Sequence, residues 1–194
     1  ITEIAIITNS HKEAIESHFR PMKFLEDNLE KTGKLEELEE IRKINDIANL
    51  SFIIQEKPKG LGHAIFCAKE FINEEPFAVL LGDTICGEPN CTRELVSIFE
   101  TKEASVFSVE EIKPEETRRY GIVSGKEIEP GLVLVDDLVE KPDPEKAPSL
   151  LGIQGRYVFT SDIFAYLENI TAGIGGEMQL TDAMASLAAD MKMY

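Results

Sequence analysis

Three short stretches of this chain carry side chains that could do chemistry. The first is Gln55-Glu56-Lys57-Pro58-Lys59-Gly60-Leu61-Gly62-His63-Ala64, set between a run of strand formers, Leu50-Ser51-Phe52-Ile53-Ile54, and a helical pattern, Ala64-Ile65-Phe66-Cys67-Ala68. Glycines at a strand-to-helix junction either allow tight packing or let the backbone approach a flat or anionic ligand where a side chain would clash. Gln55 adds an amide that both donates and accepts, the chemistry that reads a nucleobase edge. The second stretch is Gly82-Asp83-Thr84, at the end of the apolar run Phe77-Ala78-Val79-Leu80-Leu81. Ligands of open α/β sheets gather beyond the carboxyl ends of such strands. Asp83 there either caps a turn or holds magnesium, which takes one or two carboxylates plus substrate phosphates. The third is Glu140-Lys141, closing Leu138-Val139. Neighbouring strand residues point to opposite faces, so an ion pair between these two is awkward and two separate ligand contacts are expected: Glu140 on sugar hydroxyls, Lys141 on a phosphate.

The elements that must position these residues alternate between strand-like and helix-like segments, which predicts an α/β fold with a mostly parallel sheet and helices on its faces. Expected strands lie at 3–8, 50–55, 77–81, 104–109 and 155–159, and expected helices at 12–19, 62–71, 92–100, 162–168 and 180–191. A continuous apolar run such as Phe77 to Leu81 suits a strand buried on both faces of a parallel sheet. From Tyr120 to Glu140 the pattern shifts to shorter strands around Gly125, Glu129-Pro130-Gly131 and Asp136-Asp137, whose short connections cannot house crossover helices, so a hairpin-like antiparallel portion is expected. Residues 21 to 49 differ: Phe24, Leu25, Leu29, Leu35, Leu38, Ile41, Ile44 and Ile47 recur at helical spacing with a break near Thr32-Gly33. They read as a helical pair inserted at the sheet edge. One domain over 1–194 accommodates all of this, since 194 residues suffice for a sizeable core.

Composition removes several classes of function. The net charge is −16, from 20 Lys and Arg against 36 Asp and Glu, which argues against nucleic acid as a partner. No apolar run approaches the roughly 20 residues that span a bilayer, so no membrane partner is expected. Three cysteines, Cys67, Cys86 and Cys91, form no metal-ligand spacing and fit a reducing cytoplasm.

Taken in order, the motifs resemble the bacterial and archaeal UTP–glucose-1-phosphate uridylyltransferases, also called UDP-glucose pyrophosphorylases. The resemblance runs through Ile7-Thr8-Asn9, Gln55 to Ala64, Leu81-Gly82-Asp83, Tyr120-Gly121-Ile122-Val123, Val139-Glu140-Lys141-Pro142, Gly155-Arg156-Tyr157-Val158 and Gly176 to Ala183. It implies a three-layer, mostly parallel (mixed) sheet with helices on both faces, the Rossmann-like nucleotide-diphospho-sugar transferase fold. It implies UTP and glucose 1-phosphate as substrates, Mg2+ as cofactor and a homo-oligomer, dimer or tetramer. Gln55 and Gly60 would then recognise uracil, and Asp83 would hold the metal. Gly121, Glu140 and Ile153 would meet the sugar, and Lys141 the sugar phosphate. His63 is expected to make a structural hydrogen bond, Arg118, Arg119 and Arg156 to lie at the surface or in ion pairs, and Thr181 or Asp182 to sit at a helix start. The family also carries a Gly-rich phosphate loop ahead of these motifs and a second metal-binding Asp after them. Neither is matched here, so the resemblance implies a central portion of such an enzyme, inactive by itself. Another nucleoside triphosphate, or a non-catalytic sugar-nucleotide-binding or assembly role, are the alternatives.

Overall fold

A computed structural model describes residues 1–10, 13–20, 22–46, 48–87, 90–171 and 173–194. They divide into two compact units, Ile1–Pro58 and Lys59–Tyr194.

In the first unit, β1 (Glu3–Thr8) and β2 (Asn49–Ile54) pair in parallel, in register from Glu3↔Asn49 to Thr8↔Ile54. Parallel neighbours need a long connection. Among its described residues the connection carries three helices, α1 (Glu13–Phe19), α2 (Lys23–Lys31) and α3 (Leu35–Asn45). The break between α2 and α3 falls where the sequence puts it, at Gly33, whose φ of 72° is open to glycine without strain. An ion pair from Arg42 Nε to Glu26 Oε2, 3.0 Å long, ties α3 back to α2. Lys12, at the start of the expected first helix, and Ile47, last of the helical series, lie outside the described residues.

The second unit holds α4 (Leu61–Phe66), α5 (Lys69–Ile72), β3 (Phe77–Leu80), α6 (Cys91–Lys102), β4 (Val106–Glu111), β5 (Gly121–Glu129), β6 (Leu132–Glu140), β7 (Leu151–Phe159), α7 (Ile163–Asn169) and α8 (Leu180–Asp190). The Asn90 side chain caps α6 by accepting from Arg93 N at 3.0 Å. The antiparallel portion expected at 120–140 is a single hairpin, β5–β6, turning at Gly131 with φ 76°; Gly125 and Asp136-Asp137, expected as breaks, lie inside its two strands, with a register shift at Ser124/Gly125. Its packing side contributes Val123, Val135 and Leu138 to a core around Phe159, Ile163, Leu167, Met184 and Leu187, the last five essentially fully buried.

The α/β class forms as expected, but the parallel pairing is confined to β1–β2; every described ladder of the second unit is antiparallel. The reason is β7. Strands β3 and β4 run in the same direction, as a link through the helix α6 would have them, yet β7 lies between them, antiparallel to both. On one edge β7 meets β4 along most of its length. On the other edge its carboxyl half pairs with β3 (Phe77↔Phe159 to Leu80↔Arg156) and its amino half with β5 (Ile122↔Gly152, Val123↔Leu151). Two strands thus share one edge, and the gap between their ends opens over residues 153 to 155.

Candidate functional site

That gap is where the chemistry-bearing residues of the second unit collect. The carboxyl end of β3 arrives at Gly155, where Leu81 N donates to Gly155 O at 2.9 Å. The amino end of β5, Gly121, lies opposite Glu140 at the carboxyl end of β6. These ends surround a cleft of about 380 Å³, within the usual range of small-molecule sites. Asp83, Gly121, Glu140, Lys141 and Ile153 all line it. So do Tyr157 from its floor, and Leu180 and Thr181 from the start of α8. Gln55 belongs to the first unit, just past β2, where its N–H donates to Thr8 O at 2.7 Å.

The glycine string clasps the segment before α8. Met178 N donates to Lys59 O at 2.7 Å, and Gly62 N donates to Met178 O at 2.9 Å. A Cβ on Gly62 would lie 2.7 Å from Met178 O, so Gly62 serves close packing, one of the two readings its sequence left open. Gly60 has φ 93° and is tied to the same clasp, with a Cβ position 2.9 Å from Met178 O. Leu61, between them, reaches the cleft wall.

Glu140 and Lys141 depart from expectation. They form an ion pair, Lys141 Nζ to Glu140 Oε1 at 3.1 Å. Strand alternation forbids this only while both residues are extended, and Lys141 is not: its φ of 45° turns the chain as it leaves β6. The other carboxylate oxygen, Oε2, accepts the Thr181 hydroxyl at 2.6 Å. Thr181 is therefore no cap for α8, whose flanking residue Gln179 also makes no side-chain cap. It bridges α8 to the end of β6. The contact requires Gly121, because a Cβ there would lie 2.7 Å from Thr181 Oγ1 and 3.0 Å from Ile153 Cδ1.

The field inside the cleft is negative. Burial raises the Tyr157 phenol far above its usual range, and the charges of Glu140 and Asp83 raise it further. Burial and then Glu140 likewise raise Asp182. Among the lining groups Asp83, Glu140 and Glu177 face only Arg119 and Lys141 as cations. Among the described residues no three His, Cys, Asp or Glu side chains form a metal cluster. Asp83, exposed at the cleft and within 3.5 Å of the Thr84 hydroxyl, is a single carboxylate of the sort that shares a cation with substrate phosphates.

Arg118 and Arg119 are surface ion-pair residues, with Asp143 at 3.1 Å and Glu116 at 3.9 Å. Arg156 is not. It is only 9% exposed and donates to three backbone carbonyls, Leu81 O at 2.9 Å, Gly155 O at 2.7 Å and Thr84 O. The surface or ion-pair position expected from the sequence is thus corrected, and no local signal marks the buried one, because two of its three acceptors, Leu81 O and Thr84 O, lie more than 70 residues away.

His63 stands in α4 with Nδ1 3.8 Å from Cys67 Sγ. Burial, with Lys59 second, holds its imidazole below the ordinary value of 6.5. The unfolded chain then binds the proton first as pH falls through about 6.5, so His63 subtracts stability below that pH and is neutral above it. Thermal melts at pH 7.5 and 5.5 should show His63→Gln losing less stability on acidification than the wild type.

The fold and site define a class: a nucleotidyl transferase family profile matches residues 1–194, and the chain belongs to that family. Within it, the chain is 48% identical over its whole length to a UTP–glucose-1-phosphate uridylyltransferase of Bacillus subtilis (strain 168), covering 67% of that protein. Among solved structures it is similar to a UDP-glucose pyrophosphorylase complexed with UDP-glucose, with TM-score 0.86 and 33% identity over 100% of this chain and 72% of that one. It is also similar to a UTP-bound UGPase from Acinetobacter baumannii, with TM-score 0.84 and 34% identity over 100% of this chain and 69% of the other. The chain thus spans about two thirds of the length of these relatives. No helix among the described residues is long and apolar enough to cross a membrane.

Proposed function

We propose that the protein carrying this sequence forms UDP-glucose and pyrophosphate from UTP and glucose 1-phosphate. The observation that carries this reading is the convergence of Asp83, Glu140 and Lys141 on one cleft in a chain this similar to uridylyltransferases. In the reaction, a phosphate oxygen of glucose 1-phosphate bonds to the α-phosphorus of UTP, the bond from that phosphorus to the bridging oxygen breaks, and pyrophosphate leaves with the electron pair. Such in-line transfer needs alignment and charge compensation more than covalent help.

Each side chain then has a task. Lys141, swung out of β6 and 42% exposed, can exchange its contact with Glu140 for the sugar phosphate. Glu140, held from behind by Thr181, presents its carboxylate to sugar hydroxyls. Gly121 leaves its backbone open toward the sugar beside Ile153. Gln55 has the amide to read a uracil edge, and Gly60 the bare backbone to meet a nucleobase; an unmatched buried polar group on a wrong base would cost about 1–3 kcal/mol. No general base is required, since the attacking phosphate is already ionised at neutral pH, and His63 keeps its structural place in α4. An anionic cleft that must admit two polyanions needs added positive charge, and Asp83 is the residue that would hold it as Mg2+. Magnesium, when bound there, offsets phosphate charge as it builds in the transition state.

On the same reading the two units form one nucleotidyltransferase domain, with α2 and α3 as its insertion, supported by a single family profile running over both. The three free thiols fit a cytoplasmic protein, and the exposed Phe24 and Leu35 of the insertion give a homo-oligomer, dimer or tetramer, an apolar surface to use. Pyrophosphate release assayed with a panel of nucleoside triphosphates tests the central claim. UTP should lead by at least tenfold with glucose 1-phosphate. A lead for dTTP or ATP would move the protein to a sister activity, and release with none of them would leave a binding role only.

A further inference from the structure

We propose that Arg156 is the positioning residue of the turn that carries Asp83; what Asp83 does there rests on the uridylyltransferase reading, but the positioning does not. Residues 81 to 84 form a β-turn, with Thr84 N donating to Leu81 O at 3.3 Å. The carbonyls at the two ends of that turn, Leu81 O and Thr84 O, are both acceptors for one guanidinium, through Nη1 and Nη2 of Arg156. The same Nη1 also reaches Gly155 O at 2.7 Å. A planar, rigid fork therefore spans the whole turn and pins it to the middle of β7, with Gly82 and Asp83 hanging between the two held ends.

Beyond Leu81, whose N–H bonds Gly155 O and whose side chain packs against the core, little else holds this turn. A Cβ on Gly82 would find no atom within 4 Å, Asp83 is exposed, and Ile85 beyond it is 95% exposed, so side-chain packing does not fix the loop. Contact with β7 is close only at Gly155, where a Cβ would lie 2.7 Å from Leu81 Cβ and 2.8 Å from Thr84 Oγ1. The turn rests on bare backbone there, and Arg156 clamps it from the next residue. A residue needed only to fill this site could be apolar. Burying a guanidinium demands full use of its donors, and among the described residues Arg156 has no carboxylate partner, only carbonyls that belong to the turn and its seat. Its positive charge also stands one turn away from a cleft whose lining is acidic and whose substrates are phosphates.

Arg156→Met and Arg156→Lys test this. The lysine variant keeps the charge but, as a point donor, cannot span Leu81 O and Thr84 O together. Both variants should raise amide hydrogen exchange at residues 82 to 85 by about tenfold or more, the loss of a charge-assisted hydrogen bond, with β3 amides at 77 to 80 little changed. Titration of UTP binding by calorimetry, without sugar phosphate, should need about tenfold more Mg2+ at half-saturation. Uniform loss of protection across β3, the turn and β7, with an unchanged Mg2+ requirement, would mean a merely structural arginine and overturn the proposal. If neither variant folds, the wild type still decides: its Arg156 Nη protons should give separate, slowly exchanging NMR signals, and one averaged signal would refute the clamp. If the wild type binds no UTP at all, the proposed function fails while the exchange data continue to report on Arg156.

Discussion

Asp83→Ala should lower kcat/KM for UTP and glucose 1-phosphate by about a thousandfold, the scale at which removal of one preorganised electrostatic group or metal ligand acts. Folding should be nearly untouched, because Asp83 is exposed and its turn is held through the backbone carbonyls of Leu81 and Thr84 rather than through its own side chain. Surface changes of this sort usually stay within about 0.5 kcal/mol. Asp83→Asn, which keeps the shape and loses the charge, should fall with the alanine variant. The check is a paired one: steady-state kinetics over a Mg2+ series, and a thermal melt. Wild-type kinetics in either variant, or a steep drop in melting temperature, would remove Asp83 from the role given to it.

Lys141 should be nearly as sensitive, and its backbone allows a sharper test. At about 4 Å from a phosphate charge and an effective dielectric near 20, an ammonium contributes on the order of 4 kcal/mol before its desolvation is subtracted. Lys141→Met should thus lower kcat/KM by roughly a hundred- to a thousandfold once that subtraction is made. Lys141 also sits at φ 45°, a region open to glycine and strained for other residues by about 1 kcal/mol or more. Lys141→Gly should therefore lose the same activity while melting higher than Lys141→Met. Two variants with equal kinetics and opposite stabilities would separate the charge from the turn it stands on. Equal stabilities would mean the backbone there carries no strain, and retained activity in both would exclude the phosphate contact.

Much of the local structure was legible in the residues. The break at Gly33, the antiparallel character of residues 120 to 140, the end of β3 before Gly82-Asp83 and the strand that leads to Gln55 all depend on propensities and turn chemistry that act within a few residues. Asp83, Glu140 and Lys141 could be singled out as candidates for the same reason, since each stands at or beside a strand end that the pattern itself marks, whereas Gly121 and Ile153 were reached only through the family resemblance. Side chains whose role depends on distant partners could not be read in this way. Thr181 does stand at the start of α8, as expected, but only the approach of β6 gives it Glu140 to bond. The alternation rule separated Glu140 from Lys141 because it assumes extended backbone, which ends at Lys141.

The sequence by itself determined which segments become strands and helices and where the reactive side chains stand along them, because those preferences are settled by near neighbours. The tertiary structure alone decided that β7 enters between β3 and β4, that β3 and β5 share its edge and leave a gap, and that Arg156 turns inward to hold the Asp83 turn. These outcomes come from pairings across some 30 to 80 residues, chosen by which edges and buried donors can be satisfied together once the core has formed.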